Sequence, residues 1–306
     1  MGKLKITETT DKDFGKCIVM ENGICELWVT VDFGPRIIHY SLAGKENIMY
    51  QDREKRPLGE PITPFEDDVF KLYGGHRLWT SPEILPRCYA PDNEPVTYKE
   101  VPGGMEFLTC PDKTLVQKSL VVMMDEDSSD VEIVHRLHNN SMWDIELAPW
   151  AITQLAAGGT AVIPIDGPKT GLLPNRHMVF WDYTNLCDPR LTFGKDYAII
   201  RQNAAQTDAL KIGIFNHSGY AAYFINNQLF VKCFEAEEGI YPDNGCNYEC
   251  YANGDFLESE TLGELCLLEP DESTVHIERW QIFEESKLPG LEEDIKEILN
   301  KYRIIA

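Results

Sequence analysis

Two glutamates, Glu258 and Glu260, lie two residues apart in the segment YECYANGDFLESETLG, residues 248–263. The segment is typical of a β-strand, in which side chains two apart share one face. Glu249 and Tyr251 form a similar pair just upstream. Carboxylates that share a face repel one another, so they require water, cations or polar ligand groups around them. The pattern predicts a site that holds sugar hydroxyls and moves a proton; the alternative is a solvated outer face of a very acidic protein.

The segment YGGHRLWTSPE, residues 73–83, combines the residue types of a binding loop. Its two glycines permit a tight turn or a close approach of a ligand to the backbone. His76 can exchange protons near neutral pH, Arg77 can fork onto vicinal oxygens, and Trp79 can stack on the C–H face of a sugar. The alternative is a surface loop with solvated His76 and Arg77, in which Trp79 fills the core.

Four further residues could contribute to the same cleft. His177 lies in a second His/Arg/aromatic cluster, NRHMVFW, where a loop histidine without a function is the alternative. Arg36 follows a Gly-Pro turn, from which a loop could aim it at a cleft. Trp150 is either a core aromatic or a cleft residue, and Gln154, four positions later on the same strand face, could offer its amide to a hydroxyl.

Charge and composition exclude several classes of partner. The chain has 306 residues, 43% of them hydrophobic, and carries 28 basic against 50 acidic residues for a net charge of −22. A nucleic acid or an anionic membrane surface is not expected as a partner, because binding phosphate requires basic surface. A neutral polyol fits this charge balance, whereas a phosphosugar would require a local arginine cluster.

The nine cysteines show no CxxC or Cys/His spacing of a metal site. The sequence also has no P-loop, GxGxxG, HExxH or GxSxG motif, so we expect neither a cofactor nor a bound metal. The first residues contain no apolar segment of a signal peptide, and no apolar run approaches the ~20 residues of a membrane span. We therefore expect a cytoplasmic monomer or homodimer with reduced thiols.

Strand-type alternation separated by turn residues recurs along most of the chain, which predicts an all-β antiparallel sandwich or barrel. His135 shares a strand face with apolar residues and is expected in the core. Two stretches, residues 51–95 and 166–196, show weak patterns and are expected to be long loops of functional importance. The helical exception is residues 291–302, whose apolar positions recur at helical spacing and predict a helix packed on the sandwich.

Five segments of the chain resemble the galactose mutarotase-like superfamily, which includes aldose 1-epimerases and hexose-phosphate mutarotases. The chain is more closely similar to one bacterial branch of that superfamily, a domain of unknown function (DUF4380). The resemblance extends from about Gly34 to Phe283, is fairly specific for the branch and is loose for the enzymes. It rests on residues 73–79, 147–152, 173–177, 256–263 and 269–280.

The resemblance implies a β-supersandwich, formed as a single domain over residues 1–306 with a short helix at about 291–303, whose concave sheet face binds sugar. In the enzymes a late-strand glutamate takes the proton of the C1 hydroxyl while a histidine protonates the ring oxygen. The ring then opens, the C1–C2 bond rotates, and the ring closes on the other face. The glutamate corresponds to Glu258 or Glu260. At the place of the histidine this chain has Trp150 and its neighbours, so His76, with His177 second, is the substitute.

The resemblance thus predicts a mutarotase-like enzyme that acts at the anomeric carbon. Two alternatives stay open: a sugar-binding protein without catalysis, and a lyase or hydrolase acting on a saccharide. Hydrolysis with retention requires two carboxyl groups ~5–5.5 Å apart, a separation that two glutamates on one strand face could reach. The predicted catalytic residues are Glu258, Glu260 and His76, and the predicted sugar-binding residues are Arg36, Arg77, Trp79, Trp150, Gln154, His177, Glu249 and Tyr251.

Overall fold

Strands dominate the structure, a computed structural model that describes residues 3–59, 62, 65 and 68–304. A three-residue 3-10 turn, Arg87–Tyr89, and a C-terminal helix, Glu292–Lys301, accompany them. The strands are β1 Lys5–Asp11, β2 Gly15–Glu21, β3 Cys25–Thr30, β4 Ile37–Leu42, β5 His76–Ser81, β6 Thr97–Val101, β7 Gly104–Leu108, β8 Val116–Met124, β9 Val131–Asn139, β10 Ile145–Ala156, β11 Thr160–Pro164, β12 Met178–Phe180, β13 Leu191–Phe193, β14 Tyr197–Arg201, β15 Leu210–Ile214, β16 Tyr220–Ile225, β17 Gln228–Phe234, β18 Tyr248–Ala252, β19 Phe256–Leu262, β20 Cys266–Leu268 and β21 Ser273–Glu284.

These strands form two antiparallel sheets that pack face to face as a sandwich. Sheet I has the order β1-β2-β3-β4-β5-β10-β19-β18-β15-β12, with β20 paired to one end of β10. Sheet II has the order β13-β14-β11-β16-β17-β21-β9-β8-β7-β6. The inward-facing side chains of both sheets form one apolar core, to which Leu78, Leu257, Phe107 and Ile133 belong. The predicted all-β sandwich is confirmed.

The C-terminal helix packs on the outer face of sheet II, as its apolar spacing predicts. Ile295, Ile298 and Leu299 are buried against Val162 and Tyr197 of that sheet. No helix of the described residues is long and apolar enough to cross a membrane. The single-domain prediction also covers residues 1, 2, 305 and 306, which lie outside the described part of the chain.

The prediction of a long loop over residues 51–95 was wrong for part of that stretch, because the strand β5 lies inside it. Residues 60, 61, 63, 64, 66 and 67 of that stretch lie outside the described residues. Gly74 and Gly75 adopt φ of +90° and +70°, and a Cβ on either would overlap a backbone carbonyl of the neighbouring chain segment. The two glycines therefore permit the turn that brings β5 between β4 and β10. The stretch over 166–196 likewise contains β12 and β13.

Candidate functional site

Five adjacent strands of sheet I, in the order β5-β10-β19-β18-β15, build the floor of a cleft. Directly paired residues of neighbouring strands share a face. The register pairs Trp79 of β5 with Trp150 of β10. It also pairs Gln154 with Glu258, Glu258 with Tyr251, and Tyr251 with a residue of β15. The face turned away from the core therefore carries Arg77, Trp79, Trp150, Gln154, Glu258, Glu260, Glu249, Tyr251 and Lys211.

The cleft encloses about 360 Å³ above these strands. Its walls come from four segments outside the floor: the loop at Arg56, the segment of Glu83 and Tyr89, the loop at Tyr183, and the β18–β19 hairpin at Asp255. Aromatic rings contribute to the lining. The ring of Trp79 lies 5.6 Å from that of Trp150 and 5.2 Å from that of Tyr89, centroid to centroid. The cleft thus combines stacking surfaces with ionisable groups.

Glu258 is the glutamate of the predicted pair that lines this cleft. Gln154 Nε2 and Arg77 Nη2 both donate to its Oε1, at 2.9 and 3.2 Å. Burial raises the pKa of Glu258, Glu260 raises it further, and Arg77 opposes the rise. A carboxylate with a raised pKa that reaches a cleft is suited to accept a proton near neutral pH.

Glu260 lies on the same face but below the cleft surface, with none of its area exposed. Its Oε2 accepts hydrogen bonds from Trp150 Nε1 at 2.8 Å and from Lys211 Nζ at 3.0 Å. These bonds fix the carboxylate against the floor. The sequence left open whether Glu258 or Glu260 is the base. The structure favours Glu258, because Glu258 lines the cleft and Glu260 supports the residues around it.

Lys211, in β15, lies between two buried carboxyl groups. Its Nζ lies 2.6 Å from Glu249 Oε2 and 3.0 Å from Glu260 Oε2. Burial raises the pKa of Glu249 well above its usual value, an effect that Lys211 opposes and Glu260 reinforces. Burial alone would lower the pKa of Lys211, but Glu260 and Glu249 raise it well above its usual value. Lys211 therefore stays an ammonium group, and it lines the cleft.

Arg77 is 3% exposed and stacks its guanidinium 4.5 Å from the ring of Trp79. Its Nε and Nη1, together with Trp79 Nε1, have no hydrogen-bond acceptor among the described residues, and Gln154 Oε1 has no donor there. Buried polar groups without a partner cost about 1–3 kcal/mol each. The cleft floor therefore favours ligands or water with both donors and acceptors.

His76 does not belong to this cleft, contrary to the prediction. The alternation of β5 turns Arg77 and Trp79 outward, so His76 faces the interior between the two sheets, and none of its surface is exposed. Its Nδ1 lies 2.8 Å from Thr153 Oγ1, and its Nε2 lies 2.7 Å from His135 Nε2 on sheet II. Because residues 76–81 form a strand and not a loop, His76 and Arg77 project to opposite faces of the sheet.

The buried cluster around His76 forms a satisfied hydrogen-bond network. Three side chains of metal-ligand type converge there, His76, His135 and Glu278, with ligand atoms within 4.8 Å of one another. However, Glu278 accepts hydrogen bonds from Lys232 Nζ at 2.9 Å and from Trp280 Nε1 at 2.8 Å. An ammonium group bound to the only carboxylate of the set repels a cation, so the geometry indicates hydrogen bonding instead of metal ligation.

Arg36 and His177 are also placed away from the cleft, contrary to the prediction. Arg36 is fully buried and binds Asp92 through Nε at 2.8 Å and Nη2 at 3.0 Å. It thereby ties the start of β4 to a distant loop. His177 is exposed, and its Nε2 donates to the carbonyl oxygen of Asn244 at 3.3 Å. The cleft lining contains neither residue.

Sequence reasoning missed Lys211 and Tyr183, which both line the cleft. Lys211 lies in the otherwise apolar strand LKIGI, and a charged residue inside an apolar strand is itself a signal, since lysine is almost never buried without a partner. Tyr183 offered no comparable signal, because it lies in a loop whose position depends on the tertiary fold. Burial raises the pKa of Tyr183, so this phenol stays protonated.

No family model and no curated protein matches the sequence. Solved structures do match. A candidate aldose 1-epimerase from Escherichia coli K12 superposes with a TM-score of 0.55 at 10% identity, covering 91% of this chain and 99% of its own. A galactose mutarotase-like protein from Clostridium acetobutylicum gives 0.54 at 12% identity, with 92% and 99% covered. The chain has the galactose mutarotase-like fold.

The same fold forms part of a larger chain. A TPR-domain containing protein from Parabacteroides distasonis superposes with a TM-score of 0.61 at 12% identity, over 95% of this chain and 56% of its own. At these identities the likeness establishes the fold alone. Membership of the DUF4380 branch, the single-domain organisation and the cytoplasmic location stay predictions.

Proposed function

We propose that the cleft binds a saccharide and that the protein interconverts its anomers, with Glu258 as the general base. The observation that carries this proposal is the position of Glu258: it lines a cleft of about 360 Å³ on the sheet face, with Arg77 and Gln154 bonded to the same oxygen. Its pKa is raised by burial, which brings a carboxylate closer to the working range of a base.

The cleft lining supports a sugar as the ligand. Pyranose rings present apolar C–H faces that pack on aromatic rings, and Trp79, Trp150 and Tyr89 supply such rings. Hydroxyl groups both donate and accept hydrogen bonds, which suits a floor where Arg77 and Gln154 retain unpaired donors and acceptors. The fold shared with galactose mutarotase-like proteins is consistent with this ligand class.

The proposed reaction begins when Glu258 takes the proton of the C1 hydroxyl. The C1–O1 bond gains double-bond character, the bond between C1 and the ring oxygen breaks, and the ring oxygen takes up a proton. Rotation about C1–C2 followed by the reverse steps gives the other anomer. Arg77 orients Glu258 and stabilises its ionised form.

A second candidate function is sugar binding without catalysis. It is favoured by one observation, namely that both predicted acid histidines, His76 and His177, lie outside the cleft lining. A hydrolase that uses Glu258 with Glu260 has less support, because Glu260 is fully buried and its Oε2 is bound by Trp150 and Lys211.

The test is saturation-transfer NMR between the α and β H1 signals of D-glucose, D-galactose, D-mannose and D-xylose, measured with wild-type protein, Glu258→Gln and Glu100→Gln. Glu100 is exposed on β6 of the other sheet and serves as the matched control. We expect exchange above the uncatalysed rate for at least one sugar, a loss of about 10²–10⁴-fold in Glu258→Gln, and no change in Glu100→Gln.

Calorimetric titration of the same sugars separates the two functions. Binding together with exchange supports the enzyme, and binding without exchange supports the non-catalytic alternative. Full exchange activity in a folded Glu258→Gln variant would contradict the role of Glu258, and the absence of binding by every sugar would contradict the ligand class.

A further inference from the structure

Lys211 and Glu258 both line the cleft. The two residues occupy β15 and β19, on either side of β18, and both pair in register with Tyr251. Neighbouring strands are about 4.8 Å apart, so the two backbones stand two strand spacings apart with their side chains on one face. The Lys211 side chain extends across β18, since its Nζ lies 3.0 Å from Oε2 of Glu260 on β19. A sugar ring in the cleft would therefore meet the Glu258 carboxylate and this ammonium group on the same floor.

The surroundings of Lys211 hold its ammonium group in place. Glu249 and Glu260 lie at 2.6 and 3.0 Å from Nζ. The rings of Trp150 and Trp181 each have their centroid 4.7 Å from Nζ. Only 6% of the Lys211 side chain is exposed, and that part lies in the cleft lining. Two carboxyl groups and two indole rings therefore fix the ammonium group of a residue that lines the cleft.

The charges of Lys211, Glu249 and Glu260 indicate that one of the two carboxyl groups holds a proton. One ammonium group faces two carboxyl groups that are fully buried, and two buried negative charges beside one positive charge leave an excess that burial disfavours. Glu260 Oε2 accepts two hydrogen bonds, whereas burial raises the pKa of Glu249 well above its usual value. The charges balance when one of the two carboxyl groups carries a proton, and Glu249, whose pKa burial raises, is the group that would hold it.

We propose that Lys211 is the general acid of the reaction and that Glu249 returns the proton to it. This inference rests on the proposed anomer interconversion. As Glu258 takes the proton of O1, the bond between C1 and the ring oxygen breaks, and the ring oxygen takes a proton from the Lys211 ammonium group to become a hydroxyl. The neutral amine then accepts the proton of Glu249. Ring closure reverses every transfer, so no proton or electron is gained or lost.

This assignment explains how the cleft could work without a histidine. Among the cleft-lining cations of the described chain, Lys211 is the one in contact with Glu249, since Arg77 is bound to Glu258 and Arg56 to Asp52 and Asp255. Tyr183 also lines the cleft and carries a proton. Tyr89 and Tyr251 line the cleft with raised pKa values as well, and the experiment separates Tyr183 from Lys211.

The experiment compares Lys211→Met, Lys211→Arg, the double variant Lys211→Met/Glu260→Gln, Tyr183→Phe and wild-type protein. The double variant removes one positive and one negative charge, so it preserves the charge of the buried layer if the single variant fails to fold. Lys99→Met, exposed on β6, is the control. Anomer exchange gives kcat and KM for the sugar that the wild type turns over best, and calorimetry gives its Kd.

We expect the double variant to lose about 10²–10⁴-fold in kcat while Kd changes by less than about threefold. Lys211→Arg should keep the sugar affinity and stay slow, because a guanidinium group does not release its proton. Tyr183→Phe should lose much less kcat than the double variant. A folded double variant with wild-type kcat, or a Tyr183→Phe variant that alone loses turnover, would overturn the role of Lys211 while leaving the proposed function intact. No exchange in the wild type would overturn both.

Discussion

Arg77 Nη2 donates a hydrogen bond of 3.2 Å to Glu258 Oε1 across the intervening strand β10. The contact joins two of the predicted site residues that are 181 positions apart in the sequence. The contact also opposes the other influences on the pKa of the Glu258 carboxyl group. Burial and the nearby Glu260 favour the protonated form of Glu258, whereas the guanidinium group favours the ionised form.

This balance predicts the pH dependence of turnover. A base must be ionised, so kcat/KM should fall on the acid side as Glu258 becomes protonated, at a pH above the ordinary glutamate value because its pKa is raised. Arg77→Gln removes the influence that lowers this pKa and should move the acid limb to still higher pH. The pH profile of anomer exchange checks this, with Arg279→Gln, an exposed pair with Glu132, as control. An unmoved limb would contradict the pairing.

The buried histidine network predicts how stability changes with pH. Burial and the nearby His135 lower the pKa of His276 to about 3 from an unfolded value of 6.5. The unfolded chain therefore takes up a proton first as the pH falls, and the stability contribution, complete above pH 6.5, is lost below it at about 1.4 kcal/mol per pH unit.

Urea unfolding of wild-type protein and His276→Gln at pH 7.5, 6.5 and 5.5 measures this effect. The wild type should lose stability more steeply than the variant below pH 6.5. Glu249 and Glu258 have raised pKa values and act in the opposite sense, but they are present in both proteins and cancel in the comparison. Parallel pH dependences would show that His276 is not buried as a neutral group.

Replacing only one partner of the Lys232–Glu278 ion pair should destabilise the protein strongly. Both residues have no exposed surface, and Nζ lies 2.9 Å from Oε1. Lys232→Met leaves the carboxylate buried beside the neutral histidines and should destabilise the protein by about 3–5 kcal/mol. Adding Glu278→Gln should restore most of that loss, since neither position of the pair then carries a charge. A double variant as unstable as the single one would indicate that packing, not charge, dominates here.

Trp150 should stabilise the site through its indole N–H as well as its ring. Trp150→Phe removes the 2.8 Å hydrogen bond to Glu260 and should cost about 1–3 kcal/mol, because a buried acceptor loses one of its donors. Trp143→Phe is the matched control, since Trp143 is 74% exposed. Chemical denaturation of both variants makes the comparison, and equal losses would mean that the indole bond contributes nothing specific.

The sequence predicted the architecture well because alternation is a local property. The pairs Glu258/Glu260 and Glu249/Tyr251 were expected on shared strand faces, and the register places them so. Trp79, Trp150, Gln154 and Arg77 were also assigned to the cleft they line.

The errors in the predicted site arose where a local pattern was interrupted, or where tertiary contacts determine the position of a side chain. Glycine and proline around residues 74–82 indicated a loop, so the strand β5 was missed and His76 was assigned to the wrong face. The burial of Glu260 under Trp150 and Lys211, and the pairing of Arg36 with Asp92, depend on residues distant in sequence. No local pattern could reveal which carboxylate reaches the cleft.

The most direct test of the central claim is a crystal structure of the Glu258→Gln variant in complex with the aldose that the wild type turns over best. We expect the pyranose in the cleft above Tyr251, with O1 within about 3.2 Å of the substituted side-chain amide at position 258 and the ring oxygen turned toward Lys211. A sugar bound outside the cleft, or bound with its anomeric hydroxyl directed away from position 258, would contradict it.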